Sequence, residues 1–167
     1  MSGSWAQFEA LYRASRDDVY AYALTLLRDQ AAAEDVTALA FERAYRRRRT
    51  FDPSRGEPRG WLFGIARNAA LDELRRRQRL ATLVIDPEDV QEEAAEEDGE
   101  EIVLRRTAVH SALESLSGRE RELIALKFHA GLSNSDLAKV LGVSESNAGT
   151  MLHRAIQKLR KAVNVGV

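Results

Sequence analysis

The chain has 167 residues, of which 44% are hydrophobic and 7% aromatic, and this allows one helical domain or two small ones. Because it contains no cysteine and only three widely separated histidines, a disulfide framework is excluded, and we expect no metal and no other cofactor. The net charge is −1, no apolar run approaches the ~18 residues that span a membrane, and the N-terminus is unlike a signal peptide, so we expect a cytoplasmic protein.

The small net charge conceals three segments of different sign. Residues 1–80 carry 15 basic and 11 acidic side chains, residues 81–101 carry none and 10, and residues 102–167 carry 10 and 5. Two basic segments indicate a polyanionic partner, although two ordinary charged domains with an acidic linker would give the same pattern. We predict domains over 1–80 and 103–167, joined by an acidic flexible linker over 81–102.

Four helices are predicted in the first domain. Apolar periodicity predicts helices over 5–12, 19–27 and 31–49. A loop with two prolines and one glycine follows over 50–59, and the fourth helix, over 60–79, ends in an arginine-rich turn. Among the residues predicted to face the core are Val36, Ala40, Phe41, Ala44 and Tyr45 in the third helix, and Leu62, Ile65, Ala66 and Ala69 in the fourth.

Four further helices are predicted in the second domain. The first covers about 102–116, with Val109 among its inward residues. The second begins with Ser117 and has Glu120 three residues later, which is the spacing of a capping box. The last two, over 133–142 and 144–162, are capped by serines and joined at a glycine. This is the pattern of a helix-turn-helix, although a plain helical hairpin would also give it.

The last helix has an apolar and a polar face when projected at 100° per residue. Gly149 falls on the flank between the two faces, where it would either let DNA approach the backbone or simply be tolerated near the helix start. The polar face consists of residues that can donate hydrogen bonds, as a base-reading or phosphate-binding face requires. We call it the recognition row: Ser146, Asn147, Thr150, Arg154, Gln157 and Lys161.

Two parts of the chain resemble a known family. The segments AEDVTALAFERAYRR and RGWLFGIARNAALDELRRRQR resemble region 2 of bacterial sigma-70 family sigma factors, and LESLSGRERELIALKFHAGLSNSDLAKVLGVSESNAGTMLHRAIQKLRK resembles region 4. The likeness is to the small extracytoplasmic-function (ECF) group and covers about 5–80 and 103–162. It implies an all-α protein with a four-helix region 2 and a helix-turn-helix region 4. Its partners would be core RNA polymerase, the minus-ten and minus-thirty-five promoter elements, and an anti-sigma factor.

The resemblance also implies roles for individual residues. The polymerase-binding positions would be Asp35, Val36, Phe41 and Arg43, although Ala38 and Leu39 stand where the family often has a polar Gln-Glu pair. The minus-ten positions would be Arg55, Trp61, Asn68, Asp72, Arg75, Arg76, Arg77 and Arg79, and the recognition row would bind the minus-thirty-five element.

Some of these residues have a plainer interpretation. Trp61 would stack on a base or wedge the duplex, but a core aromatic is the favoured interpretation. The four arginines would bind phosphates or form a solvated helix end. Related proteins often carry basic residues where Gly149 and Met151 stand, which predicts a weaker or different direct readout of the minus-thirty-five element.

Two other functions fit the same patterns. A regulator could bind operator DNA through the helix-turn-helix alone, but it would not need the first domain. A sigma-like decoy could bind a regulatory protein without DNA, but the arginine cluster disfavours it. We expect no enzymatic activity, because the sequence contains no combination of nucleophile, base and orienting group.

Overall fold

The computed structural model describes residues 2–83, called here the N-terminal unit, and 108–165, the C-terminal unit. Within these ranges the secondary structure is helical, without a β-strand, which confirms the all-α prediction. Most of the predicted linker lies outside the described residues. The N-terminal unit contains α1 (Ser2–Leu27), α2 (Gln30–Arg46) and α3 (Pro58–Leu83), with 3-10 turns at Arg48–Thr50 and Pro53–Arg55. The C-terminal unit contains α4 over 108–114, α5 (Gly118–Phe128), α6 (Asn134–Leu141) and α7 (Glu145–Val165).

The N-terminal unit has three long helices where the sequence predicted four. The segments over 5–12 and 19–27 belong to the single helix α1, because the residues between them include no glycine or proline that would end it. The buried face of α1 continues through Ser15, which is only 1% exposed. A polar residue at this position concealed the continuity of the apolar stripe.

Side-chain caps fix the ends of the helices in the C-terminal unit. The predicted capping box is present: the Ser117 hydroxyl accepts from the Glu120 backbone N–H, and the Glu120 carboxylate accepts from the Ser117 backbone N–H. Ser133 caps α6, and the Ser144 hydroxyl accepts from a backbone N–H in the first turn of α7. Gly142 has φ 69°, a left-handed conformation that glycine adopts without strain. The turn and the caps therefore confirm where α5, α6 and α7 were predicted to begin.

One apolar cluster runs through both units. Val19, Tyr22 and Phe63 of the N-terminal unit lie in the same buried cluster as Leu126 and Leu137 of the C-terminal unit. Burial of such side chains stabilises by roughly 1.5–3 kcal/mol each, so this contact between the units is substantial. The two predicted domains are therefore packed against each other in this structure.

Two inward assignments differ from the structure. Tyr45 is 38% exposed, because it lies at the end of α2 and packs edge-on against Trp5 and Phe8 of α1. Val109 is 46% exposed on α4. The buried predictions for the third and fourth helices otherwise agree with the structure. In the described part of the chain, no helix is both long and apolar enough to cross a membrane.

Candidate nucleic-acid interface

Helices α6 and α7 form a compact helix-turn-helix. Leu137 and Ala138 on α6 are buried in the same cluster as Ala148 and Leu152 on α7. The two alanines allow the helices to approach closely, since each adds only a methyl group to the contact. The predicted packing is confirmed, and it fixes which side of α7 faces solvent.

The recognition row lies on that solvent-facing side of α7, and all six of its residues are exposed. The Thr150 hydroxyl donates to the Ser146 carbonyl oxygen at 3.1 Å, so its proton is used within the helix and its oxygen is left to accept. The longer side chains of the row extend into solvent toward a groove or a phosphate, and Arg154 and Lys161 add positive charge.

Gly149 borders on α6. A methyl group added to it would meet only the Asn134 side-chain nitrogen, at an ordinary contact distance of 3.7 Å. Its backbone has no special conformation, since it does not belong to the glycines with positive φ. An alanine would therefore fit at this position without displacing its surroundings.

A second polar surface lies on α3. Asn68 and Asp72 are both exposed and stand one helical turn apart. The Asp72 carboxylate is shared by two cations, Arg43 of α2 at 3.3 Å and Arg75 of α3 at 3.4 Å. The negative charge of Asp72 is thereby compensated, and it opposes an approaching phosphate less than an isolated carboxylate would.

The arginine-rich end of α3 divides into different environments. Arg76 forms two hydrogen bonds to Glu73, at 2.9 and 2.8 Å, and they lower the pKa of that carboxyl. Arg77 donates to the Leu27 carbonyl oxygen at 2.7 Å and lies 3.3 Å from the Asp29 carboxylate, so it joins α3 to the α1–α2 corner. Arg79 is exposed. Arg77 is thus a structural residue, whereas Arg75, Arg76 and Arg79 are exposed, the first two in ion pairs at the surface.

The loop over 47–57, called here the α2–α3 loop, is shaped by a local cap. The Asp52 carboxylate accepts from the Ser54 hydroxyl at 2.7 Å and from its backbone N–H at 2.9 Å, and these hydrogen bonds lower the pKa of Asp52. Arg55 follows with an 88% exposed side chain. Gly56 has φ 151°, which an L side chain rarely adopts, so this turn requires glycine.

Comparison with known proteins identifies both units. The family described as sigma-70 region 2 matches residues 11–80, and the family described as sigma-70, region 4 matches residues 106–159. The ECF RNA polymerase sigma factor SigL of Mycobacterium tuberculosis is 33% identical over 166 residues, which cover 96% of this chain and 93% of SigL. The chain belongs to the ECF group of sigma-70 family factors. The N-terminal unit is its region 2 and the C-terminal unit its region 4.

Other relatives span nearly the whole of this sigma factor. The ECF RNA polymerase sigma factor SigM of Bacillus subtilis is 28% identical over 160 residues, covering 95% of this chain and 96% of SigM. Among solved structures, RpoE of Bartonella quintana, in complex with the anti-sigma factor NepR, gives a TM-score of 0.74 at 23% identity, with 95% of this chain and 98% of RpoE covered. CnrH, in complex with the cytosolic domain of CnrY, gives 0.67 at 24% identity, with coverage of 98% and 92%. These structures share the fold.

The positions predicted to bind polymerase do not form one surface. Val36 is 4% exposed and Phe41 is 6% exposed, because both point from α2 into the core of region 2. A partner cannot contact these two side chains in the described arrangement, and they support the helix instead. Asp35 is exposed and Arg43 is half-buried beside Asp72, so these two remain candidates for direct contact.

Trp61 has the environment of a core aromatic. It is half-buried, packs against the main apolar cluster and lies 5.5 Å from the Phe51 ring, measured between centroids. This agrees with the interpretation that the sequence favoured. Its position next to the α2–α3 loop still leaves part of the ring accessible.

A polar cluster that joins regions 2 and 4 was not predicted from the sequence. Glu122 of α5 is only 5% exposed and accepts hydrogen bonds from Arg67 of α3 and, at 3.2 Å, from the Tyr22 hydroxyl of α1. Burial, together with the Glu122 charge, raises the pKa of Tyr22 well above its ordinary value. The available signal was a glutamate directly before the apolar run from Leu123 to Leu126. The described residues contain no group of side chains suited to hold a metal ion.

Proposed function

We propose that this sigma factor binds core RNA polymerase, directs it to promoters through the minus-ten and minus-thirty-five elements, and helps to open the duplex. The observation that carries the proposal is the exposed recognition row on the second helix of a capped helix-turn-helix. A helix of this kind fits the major groove of B-DNA and presents its first turns to the base edges. The proposal also makes the protein cytoplasmic, since the template and the polymerase are there.

In region 4, the proposed division of labour follows the chemistry of the recognition row. Arg154 and Lys161 would bind phosphates, which position the helix without reading the sequence. Asn147 and Gln157 carry amide groups that pair with the edge of an adenine. Ser146 and Thr150 would add shorter contacts. The row therefore supplies both affinity and specificity without help from Gly149 or Met151.

In region 2, the proposed minus-ten surface combines α3 with the α2–α3 loop. Asn68 and Asp72 would contact the bases of the melted strand, and Arg55 would approach it from the loop. Trp61, as a half-buried aromatic, would contribute its accessible edge. Arg75, Arg76 and Arg79 would bind phosphates of the backbone. The exposure of these charged and polar side chains supports this proposal.

Two protein partners complete the proposal. Core polymerase would contact the outer side of α2 through Asp35 and Arg43, which the burial of their neighbours leaves as the accessible members of the set. An anti-sigma factor is proposed because one solved structure with the same fold contains an anti-sigma factor, and the other contains the cytosolic domain of CnrY.

Transcription with purified core polymerase tests the function. We expect the chain and core together to transcribe from a promoter with both elements, and removal of the upstream element to reduce the yield. Asn68→Ala should lower open-complex formation without changing core binding, whereas Gln78→Ala, an exposed polar residue on the same helix, should change neither.

The alternative functions give different results in this assay. A lone operator binder would bind specific DNA without polymerase and would not support transcription. A decoy would bind neither. Equal losses of core binding and open-complex formation in Asn68→Ala would make Asn68 a structural residue and would remove it from the minus-ten surface.

A further inference from the structure

Packing gives no reason for the glycine at position 64 of α3. Gly64 lies in the second turn of the helix, Pro58–Leu83, where alanine would be the more favourable residue. It does not belong to the glycines with positive φ, and a methyl group added to it would meet nothing within 4 Å. Gly60, one turn earlier, is different, because a methyl group there would lie 3.0–3.2 Å from the Asp136 side chain. The structure therefore requires glycine at position 60 but not at position 64.

Gly64 lies on the solvent-facing stripe of α3. Trp61, three residues before it, is half-buried, and Asn68, four residues after it, is exposed. Residues at these spacings share one face of a helix. The neighbouring Arg59 and Arg67 do not compete for this face, because both donate to groups of region 4. At this point the stripe therefore consists of an aromatic ring, a bare stretch of backbone and an amide.

The missing side chain leaves a gap between Trp61 and Asn68, called here the Gly64 notch. At a rise of about 1.5 Å per residue, these two residues stand roughly 4.5 Å and 6 Å from Gly64 along the helix axis. Neither of their side chains comes within 4 Å of the position that a Cβ of Gly64 would occupy. Stacked bases are about 3.4 Å apart, so a single base is thin enough to enter the notch.

The walls of the notch suit a base that has left its stack. The accessible part of the Trp61 ring offers a stacking surface, which every base can use. The Asn68 amide offers both a donor and an acceptor to the polar edge of the base. At the floor of the notch, glycine lets a ligand approach the backbone closely. Because Trp61, Gly64 and Asn68 carry no charge, the notch fits an uncharged ring better than a phosphate.

We propose that the Gly64 notch accepts one unstacked base of the melted minus-ten strand and helps to determine which sequence is read there, an inference that rests on the proposed function. A residue that weakens its own helix without a packing reason is expected at a functional position. A larger side chain at position 64 would fill the notch and exclude the base. Gly64 is thus a specificity-determining residue of region 2, although it has no side chain of its own.

Filling the notch tests the proposal. The probe is a labelled single-stranded oligonucleotide with the non-template sequence of a promoter that the wild-type chain and core polymerase open. Gly64→Leu should lower the affinity of the chain with core for this strand by at least about fivefold, as expected for the loss of one stacked base. Gly64→Ala should lower it less. Gln78→Leu, which places the same side chain at an exposed position of α3, should leave the affinity unchanged.

A stability measurement separates this role from a structural one. Because alanine and leucine are better helix formers than glycine, both Gly64 variants should unfold at a higher urea concentration than the wild type while they bind the strand more weakly. Their affinity for core polymerase without DNA should equal that of the wild type. If strand affinity fell together with stability or core affinity, Gly64 would be a structural residue and the proposal would be overturned.

A scan with abasic sites identifies the base that enters the notch. The same oligonucleotide is prepared with one base removed at each position of the minus-ten element in turn. In the wild type, we expect the removal of one particular base to weaken binding. In Gly64→Leu, removal of that base should have no further effect, because the notch is already closed to it. The proposal is wrong if no position shows this non-additivity, or if Gly64→Leu binds the intact strand as tightly as the wild type does.

Failure of the proposed function would give a different result. If the wild-type chain with core opened no promoter, the proposed function would be wrong, and the role of the notch would be wrong with it. If the wild type opened the promoter and Gly64→Leu opened it equally well, the role of the notch alone would be contradicted.

Discussion

The two proposed DNA surfaces differ in how far their side chains are already engaged by other residues of the protein. On α7 of region 4, the recognition row is exposed on one side of a helix whose other side is packed. On α3 of region 2, the charged side chains are paired with one another, Asp72 with Arg43 and Arg75, and Arg76 with Glu73. The first surface is ready for a ligand, whereas the second must exchange partners when it binds one.

The exchange on α3 is energetically easy for the exposed pairs. Surface ion pairs contribute only about 0–1 kcal/mol each, so a DNA phosphate can replace Asp72 or Glu73 as the partner of an arginine. Arg77 is different, since it is half-buried and bonded to a backbone carbonyl that would otherwise lack this donor. The comparison therefore distinguishes arginines that stabilise the fold from arginines that can bind a ligand.

The first prediction separates Arg77 from Arg79. Arg77→Ala removes a charged hydrogen bond to the Leu27 carbonyl oxygen and should lower the free energy of unfolding by about 1–2 kcal/mol. Arg79→Ala should leave stability within about 0.5 kcal/mol and weaken non-specific DNA binding, with a salt slope reduced by about 0.9. Urea denaturation and DNA titration at several salt concentrations measure the two quantities.

A reversed outcome would remove this distinction between the two arginines. If Arg77→Ala were as stable as the wild type and lost one unit of salt slope, then Arg77 would be a phosphate ligand and its contact with the α1–α2 corner incidental. Arg119→Ala, an exposed arginine on α5 outside both surfaces, serves as the control for a general loss of positive charge.

The second prediction concerns the recognition row itself. Asn147→Ala should cost about 1–3 kcal/mol of binding on promoters with the cognate upstream element and little on promoters without it. Arg154→Ala should weaken binding similarly on all sequences and reduce the salt slope by about one unit. Matched promoters that differ only in the upstream element, assayed at two salt concentrations, distinguish these behaviours. A uniform loss in both variants would show that the row positions α7 without reading bases.

The sequence predicted most of this surface, because every feature involved is local. Helical period, serine caps and the glycine turn placed Leu137 and Leu152 inward and Arg154 outward, as the structure has them. The contact between regions 2 and 4 was not predictable in this way. Glu122 and Arg67 are separated by 55 residues, and neither carries a local signal that names its partner. The family resemblance assigned Val36 and Phe41 to a partner surface, although their apolar spacing already indicated the core in which the structure has them.

A third prediction concerns the ion pair that joins α5 to α7. Glu120 of α5 lies 3.0 Å from Lys158 of α7, and its pKa is lowered first by the hydrogen bond from the Ser117 backbone and then by Lys158. Because the folded-state pKa is depressed, this stabilisation is present above the ordinary value of 4.5 and is lost as the pH falls through the folded value. Glu120→Gln should therefore reduce the stability difference between pH 7 and pH 3.

The matched control for the third prediction is Glu34→Gln, since Glu34 is an exposed glutamate on α2. It should leave the pH dependence of stability as in the wild type. Ser117→Ala removes the other half of the capping box and should cost about 1 kcal/mol at neutral pH. If Glu120→Gln left the pH dependence of the free energy of unfolding unchanged, the Glu120 carboxylate would interact no more favourably in the folded state than in the unfolded state.

The smallest expected effect is at Gly149 of region 4, and Gly64 of region 2 is the matched position for comparison. Gly149→Ala in α7 and Gly64→Ala in α3 each place a methyl group on a helix where there is room for it, with the nearest atom 3.7 Å away at Gly149 and none within 4 Å at Gly64. Alanine is the better helix former by up to about 1 kcal/mol, so each change should raise stability by a few tenths. Gly149→Ala should also keep promoter binding within a few-fold, because the recognition row points to another side of α7.

If instead Gly149→Ala abolished dependence on the upstream element while Asn147→Ala changed nothing, the DNA would approach the backbone at Gly149. In that case the flank of α7, and not its exposed row, would be the reading surface.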